Sequence, residues 1–137
     1  ISCSLVGSEM CIRDRYTTSN AVHQCSKLPP AQWDGFLNWL FDFEYKKIGI
    51  PEPDLVLYLA VDPEVSQKLL ENRYHGDESK KDIQEKDREY MARSRAAAEY
   101  CARTLGWQRI ECTCAGRAMR PVEEINAEIL AKTDRIL

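Results

Sequence analysis

The sequence lacks the features that mark several large classes of protein. Its longest apolar run, DLVLYLAV at residues 54–61, has the length of a strand and falls far short of the about 20 residues that span a bilayer. No basic and then apolar signal segment stands at its start. Its 19 basic and 22 acidic side chains give a formal net charge of -3, so no basic excess favours a nucleic-acid backbone. We expect a cytoplasmic protein with no membrane or nucleic-acid partner, in which any anion site is local.

Cysteine is present, but not in the pattern of a disulfide framework or a metal site. The thiols are irregularly spaced in a chain without a secretion signal, which predicts reduced cysteines. The six are Cys3, Cys11, Cys25, Cys101, Cys112 and Cys114. Cys112 and Cys114 form one close pair, but no second pair exists, and both histidines lie far away in the sequence. We therefore predict no metal site and interpret the pair as small residues that end a buried strand.

The length of 137 residues and a hydrophobic content of 44% suit one domain with a real core. The first residues, ISCSLVGSEMCIRDR, show no clear period. They resemble translated adapter sequence, so we interpret residues 1–13 as an artefactual segment and residues 14–137 as the domain. The chain is then expected to be a fragment that lacks its true N-terminal part.

The pattern of apolar residues predicts helices that alternate with strands. The predicted helices are 17–28, 31–49, 62–73, 85–106 and 121–137, and the predicted strands are 53–61 and 107–114. Residues 74–89 are charged and predict a mobile surface segment. The alternation predicts an α/β fold with a parallel sheet and right-handed crossovers.

Several of these elements carry signals for their ends and their buried faces. Thr and Ser residues are expected to cap the first helix, Asp62 to cap the third, and Gly49 and Gly106 to end helices. Strand 53–61 reads as covered on both faces, and the aromatic helix 31–49 as buried on much of its surface. Residues expected to face the core include Trp39 and Phe43 in that helix, and Val122, Ile125, Ile129 and Ile136 in the closing helix.

The segment DRYTTSNAVHQ, residues 14–24, concentrates hydrogen-bonding groups. The guanidinium of an arginine such as Arg15 is able to donate two hydrogen bonds to a phosphate or carboxylate. The adjacent Asp14 is able to orient that arginine or to hold a metal-bound water. Asn20 and Gln24 are four residues apart, which places both amides on one helix face. Tyr16 and His23 would pack against a ring or sugar. The segment indicates a small, flat, polar ligand with an anionic group, although hydroxyl and amide residues before a helix also serve as caps and turn-formers.

Three motifs in order resemble thymidylate kinase, the P-loop kinase that phosphorylates dTMP with ATP and Mg²⁺. They are DRYTTSNAVHQCSKLP, GIPEPDLVLYLAVDPEVSQKL and the charged RYHGDESKKDIQEKD. The resemblance implies a P-loop kinase-like parallel sheet with flanking helices, and a homodimer formed through the helices after the DRY motif. Two departures stand out: Ala60 replaces an acidic residue of the family, and no GxxxxGK[ST] loop occurs in the sequence. The N-terminal strands and the P-loop are therefore expected to be missing.

The resemblance also implies roles for residues near the start of the domain. Arg15 would grip the dTMP phosphate, with Asp14 near the metal and phosphates. Tyr16 and Ser19 would belong to the same substrate site. Asn20 would lie against the thymine edge and Gln24 would read the base. His23 replaces the tyrosine that stacks near the deoxyribose and is thought to disfavour a 2′-hydroxyl, which weakens the case for deoxy specificity.

The charged segment, about residues 72–86, would be the lid that closes over ATP. Arg73 would stack on adenine or reach the phosphates, and Lys80 and Lys81 would neutralise the transferring phosphoryl group. A solvated charged face is the alternative for these residues. Arg117 and Ala118 fall where the family lines the adenine pocket.

These implications predict phosphoryl transfer from ATP to dTMP by the parent protein, with the fragment itself inactive. Two alternatives remain open. One is a kinase for another nucleoside monophosphate such as UMP. The other is a non-catalytic interaction module that uses the aromatic helix around residues 33–45 as its partner surface.

Overall fold

The computed structural model describes residues 13–74, 81–115 and 118–136, and for residues 70–74 and 81–87 it describes the backbone alone. Helices and strands alternate along the described chain. In order they are α1 (Thr17–Cys25), a 3₁₀ turn (Pro30–Gln32), α2 (Trp33–Phe41), a π-helical segment (Asp42–Ile48), β1 (Leu57–Ala60), α3 (Pro63–Tyr74), α4 (Lys81–Thr104), β2 (Gln108–Glu111) and α5 (Val122–Thr133). The α/β class predicted from the sequence is confirmed.

The two strands pair in parallel, as predicted. Leu57 lies opposite Gln108 and the register runs to Ala60 opposite Glu111. Both strands are shorter than the apolar runs that predicted them. The expectation that β1 is covered on both faces is wrong at Leu59, which is 49% exposed. In the described chain the elements packed on this sheet leave part of one face open.

The core lies where α1, α2 and α4 meet. Its buried side chains are Ala21, Cys25, Trp33, Leu37, Leu40, Ala97 and Cys101. Residues spaced by three and four positions line one side of each helix, which is why each of them buries a stripe. On α4 that stripe consists of alanine and cysteine, and such small side chains let the backbone of α1 approach closely.

The aromatic helix is less buried than predicted. Leu37 and Leu40 point into the core, but Trp39 is 57% exposed and Phe43 is 39% exposed. One or two helical steps of about 100° separate Trp39 from the two leucines, so it faces away from them. The rings of Trp39 and Phe43 stack on each other instead, with centroids 5.6 Å apart.

The ends of the helices agree in part with the sequence signals. Asp62 accepts a hydrogen bond from the Glu64 N–H at 2.9 Å and so caps α3, as predicted. Gly49 and Gly106 have φ angles of 80° and 70°, the left-handed conformation that ends a helix. Hydroxyl capping of α1 is wrong, because Tyr16 occupies the cap position and forms no side-chain cap.

Helix α4 starts at Lys81, four residues before the predicted start. The charged residues that predicted a surface segment are mostly good helix formers, which accounts for the longer helix. Residues 75–80 lie outside the described residues. Among the described residues no helix combines the length and apolar character that crossing a membrane requires.

The closing helix is also less buried than predicted. Val122 is 75% exposed, and Ile136, at 50% exposed, lies beyond the end of the helix. Polar contacts help attach α5 to the sheet: Arg120 donates to the Glu111 carbonyl at 2.5 Å and to the Glu128 carboxylate at 2.9 Å. Arg120 thus joins the end of β2 to α5 through its two hydrogen bonds.

Candidate functional site

Helix α1 separates a buried face from a polar one. Ala21 and Cys25 are fully buried against the core. Asn20 and His23 are exposed on the side turned away from those two residues, and Gln24 is half-buried at the edge between the two faces. The helical period therefore brings three of the predicted substrate residues onto one surface.

The two amides on this surface lie within reach of each other. The Gln24 Nε2 donates to the Asn20 Oδ1 at 3.4 Å, which is long for a hydrogen bond. The contact orients both side chains but leaves the Asn20 amino group and the Gln24 carbonyl oxygen outside it. The pair thus offers an amino group of Asn20 and a carbonyl oxygen of Gln24 to the edge of a ligand.

His23 is held by a residue from another helix. Its Nδ1 lies 2.6 Å from the hydroxyl of Tyr90 on α4. The two rings meet edge to face, with centroids 5.9 Å apart and planes inclined by 73°. The imidazole is therefore positioned from outside α1.

Tyr16 and Ser19 stand at the beginning of α1. The hydroxyl of Tyr16 donates to the Pro51 carbonyl at 2.7 Å, so it ties the helix start to the segment that leads to β1. The Ser19 N–H donates to the Tyr16 carbonyl at 2.9 Å. In this arrangement Tyr16 offers a ligand its ring rather than its hydroxyl.

Asp14 and Arg15 are exposed directly before this helix start. No hydrogen bond or ion pair joins Arg15 to another described residue. Its guanidinium therefore retains its donors for an anion. In the described part of the chain no three His, Cys, Asp or Glu side chains are grouped as a metal site.

A second polar recess lies where the two parallel strands end, the edge at which α/β sheets collect ligands. It is an open groove of about 340 Å³ lined by Asp62, Arg95, Glu111, Thr113, Cys114 and Ala115. Arg95, from α4, donates to the Val61 carbonyl and approaches Glu99 at 4.0 Å.

Two acidic residues, Asp62 and Glu111, line this groove, and the surroundings of Glu111 favour its ionised form. Burial opposes its charge, but hydrogen bonds from Thr113 and Arg109 lower the pKa of its carboxyl below the usual value. Arg109 lies 2.6 Å from one carboxylate oxygen, and Thr113 donates to the other at 2.8 Å. Sequence reasoning missed Arg95 in this groove because the residue lies mid-helix, although the rule about strand ends pointed to the place.

Most of the predicted ATP residues lie outside what the structure describes. This holds for the side chains of Arg73 and Lys81, for Lys80 and Arg117 entirely, and for much of the predicted lid at about 72–86. Ala118 is described and exposed. Its carbonyl accepts a hydrogen bond from the Cys114 N–H at 2.8 Å, so it lies across from one wall of the groove.

Comparison with known proteins identifies one group of relatives. The chain is 31% identical over 103 residues to thymidylate kinase from two Mycobacterium tuberculosis strains, CDC 1551 / Oshkosh and ATCC 25618 / H37Rv. The match covers 74% of this chain and 47% of each relative. No family model matches the chain, and no solved structure matches it significantly. The chain is a thymidylate-kinase-like sequence that spans about half the length of the curated relatives it matches.

Proposed function

We propose that the whole protein transfers a phosphoryl group from ATP to dTMP, giving dTDP. The observation that carries this proposal is the similarity to thymidylate kinases over 103 residues. Residues 14–137 would form the C-terminal part of a single P-loop kinase-like domain. Since the sequence contains no GxxxxGK[ST] loop, we propose that this chain alone does not catalyse the transfer.

The polar face of α1 would bind the nucleotide base. Thymine presents carbonyl acceptors and a ring N–H donor along one edge. The Asn20 amino group and the Gln24 carbonyl oxygen complement such an edge. The ring of Tyr16 would pack nearby, with Ser19 and His23 at the same site. The exposure of Asn20 and His23 supports this assignment, because a base is able to reach them.

The phosphate of dTMP would bind to Arg15. Its guanidinium is exposed and has no partner among the described residues, and a planar fork matches the oxygens of a phosphate. Catalysis in such a kinase consists mainly of positioning and charge neutralisation. Arg15 would hold the acceptor phosphate in line with the donor and disperse the charge that develops.

Mg²⁺ with ATP would complete the reaction. In kinases this ion is bound through one or two carboxylates plus phosphates and waters, so it needs no dedicated cluster of protein ligands. Asp14, exposed beside Arg15, has the oxygen donors that fit this role. When bound, the ion would neutralise charge on the phosphates.

The assignment of the ATP-binding residues rests on the resemblance to thymidylate kinase. Arg73, Lys80 and Lys81 would belong to a lid at about 72–86 that contacts the adenine and phosphates, and Arg117 and Ala118 would line the adenine pocket. The groove at the strand ends, next to Ala118, is consistent with a ligand on that side of the sheet.

The test uses the whole protein with its native N-terminus, assayed with ATP and either dTMP or UMP. We expect dTMP to be phosphorylated in preference to UMP.

Gln24→Leu should raise the KM for dTMP about five- to hundred-fold, since a polar base edge loses its partner. It should leave the KM for ATP unchanged. Arg15→Lys should lower turnover more severely, because lysine lacks the planar fork. The same Gln→Leu change at the exposed Gln32 is the control.

A preference for UMP would replace this proposal with a related one. His23 favours that alternative, since an imidazole is able to bond a sugar hydroxyl where a tyrosine would exclude it. The absence of any kinase activity in the whole protein would favour a non-catalytic interaction module that uses the exposed aromatic surface of Trp39 and Phe43.

We also propose a homodimer and a cytoplasmic location for the whole protein. The exposed stacked rings of Trp39 and Phe43 support self-association through α2 and the π-helical segment. Sedimentation equilibrium tests the dimer, and a monomer at every concentration would contradict it.

The proposed cytoplasmic location rests on the resemblance to thymidylate kinases, and fractionation of cells tests it.

A further inference from the structure

The contact between His23 and Tyr90 joins two helices that are far apart in the sequence. The residues are separated by 67 positions, and α1 and α4 bring them together through the core that they share. The Nδ1 to hydroxyl distance of 2.6 Å is short. Edge-to-face packing of the rings adds a second constraint on the imidazole.

This bond has a consequence for the protons of the imidazole. A phenol hydroxyl is a strong donor, and an unprotonated ring nitrogen is a strong acceptor. With Tyr90 donating to Nδ1, the neutral His23 ring carries its proton on Nε2. No other described residue bonds to that second nitrogen, so an Nε2–H donor is presented on an exposed surface.

The same surface carries the amide pair. His23 follows Asn20 by three residues and directly precedes Gln24, so the imidazole lies within one helical turn of both amides. A ligand whose flat edge meets the amides would bring its adjoining group to the imidazole. For a nucleoside monophosphate that group is the sugar.

We propose that Tyr90 is a positioning residue for nucleotide recognition. By holding Nδ1 it fixes the His23 ring and directs Nε2–H to an oxygen of the nucleotide sugar. Tyr90 itself does not touch the ligand. The inference rests on the proposed function for the identity of the ligand, but the state of the His23 ring is measurable in this chain without any ligand.

The first experiment is ¹⁵N NMR of the imidazoles in the present chain. There are two histidines, so a His75→Gln variant assigns both signals. We expect His23 to show a single Nε2–H tautomer with a hydrogen-bonded Nδ1. In Tyr90→Phe, which keeps the ring but removes the hydroxyl, the Nδ1 signal should move to the position of an unbonded imidazole.

The matched control is Tyr100→Phe on the same helix, because the hydroxyl of Tyr100 bonds to Asp34 rather than to a histidine. It should leave the His23 signal in place. An Nδ1 signal that is unchanged in Tyr90→Phe, or an Nδ1–H tautomer in the unmodified chain, would overturn the proposal.

The second experiment is a double-mutant cycle in the whole protein. Tyr90→Phe should raise the KM for the nucleoside monophosphate about three- to ten-fold and leave turnover and the KM for ATP unchanged. In a His23→Ala background the same change should have no further effect. An equal effect in both backgrounds would overturn the positioning role. If neither the variants nor the unmodified protein bind a nucleotide, the proposed function and the identity of the ligand are both overturned. The NMR result would still decide whether Tyr90 holds His23.

Discussion

At the start of α2, the indole of Trp33 closes the turn that follows α1. Its Nε1–H donates to the Cys25 carbonyl at 2.7 Å and to the Leu28 carbonyl at 3.1 Å. The ring is 8% exposed and packs against Tyr100 with centroids 5.0 Å apart. One side chain thus connects α1, α2 and α4 and supports the helix that carries the candidate site.

Trp33→Phe should therefore destabilise the fold. Both carbonyls lose a donor and the smaller ring buries less apolar area, so we expect the free energy of unfolding to fall by about 1–2 kcal/mol. Urea denaturation followed by circular dichroism measures it. Trp39→Phe is the matched control, because Trp39 is 57% exposed, and it should change stability by less than about 0.5 kcal/mol. Equal effects at the two positions would contradict this account of Trp33.

Cys101 is a second residue whose surroundings decide its chemistry. Burial raises the pKa of its thiol to about 12, from the usual 9.0, and the neighbouring Cys25 adds to the shift. The folded state thus keeps the thiol neutral at a pH where the unfolded chain ionises it. This contribution to stability is complete below pH 9 and is lost as the pH rises toward 12.

We predict that the free energy of unfolding decreases as the pH rises above 9. Cys101→Ala should make that decrease shallower, because one group with a raised pKa is removed. The substitution should not abolish the decrease, since the pKa of Tyr45 is also raised to about 12. Cys114→Ala, at an exposed thiol, should leave the decrease as it is. Urea titrations at several pH values test this, and identical slopes in all three proteins would contradict it.

At the scale of elements, two glycines have opposite roles. Gly35 lies inside α2, and Gly49 ends the π-helical segment with a φ of 80°. Apart from the chain neighbours and, for Gly35, the backbone of its own helix, a Cβ at either position would meet no atom of the described residues within 4 Å. Backbone conformation alone therefore decides the effect of a side chain at each.

The two substitutions to alanine should change stability in opposite directions. Gly35→Ala should raise the free energy of unfolding by about 0.5–1 kcal/mol, because alanine loses less conformational freedom in a helix. Gly49→Ala should lower it by about 1–2 kcal/mol, since the left-handed conformation strains an L-residue. Thermal melts of the two variants, compared with the unmodified chain, provide the measurement. Stability changes of the same sign would contradict either the helical conformation of Gly35 or the left-handed conformation of Gly49.

At the scale of the whole molecule, the sheet is incompletely covered. In the part of the chain that the structure describes it has two strands, each with one edge that lacks a partner. The side chain of Leu59 in β1 is 49% exposed on one face of this sheet. Unpaired edges beside exposed apolar side chains promote association between sheets.

We predict that this chain associates as its concentration rises, and that Leu59→Lys reduces the association. A charge at this position opposes pairing between sheets. Leu130→Lys on α5 is the control, because Leu130 is similarly exposed, at 51%, but lies on a helix. Light scattering over a range of concentrations measures the effect. A monodisperse monomer, or equal effects of the two lysines, would contradict the role of the sheet.

The sequence by itself determined the elements and the polar face of α1. The alternation of apolar runs, the Asp62 cap and the two helix-ending glycines are local features, governed by backbone conformation and by the period of a helix or strand. Asn20, His23 and Gln24 share a surface for the same reason. None of this depends on distant parts of the chain.

The tertiary structure alone decided which residues from different elements meet. Tyr90 reaches His23 because α1 and α4 pack through small side chains, and Arg95 reaches the end of β1 from the middle of α4. The exposure of Trp39 likewise follows from which helices pack against α2. Such contacts depend on how whole elements pack in space, and periodicity along one element carries no information about the partner it will find.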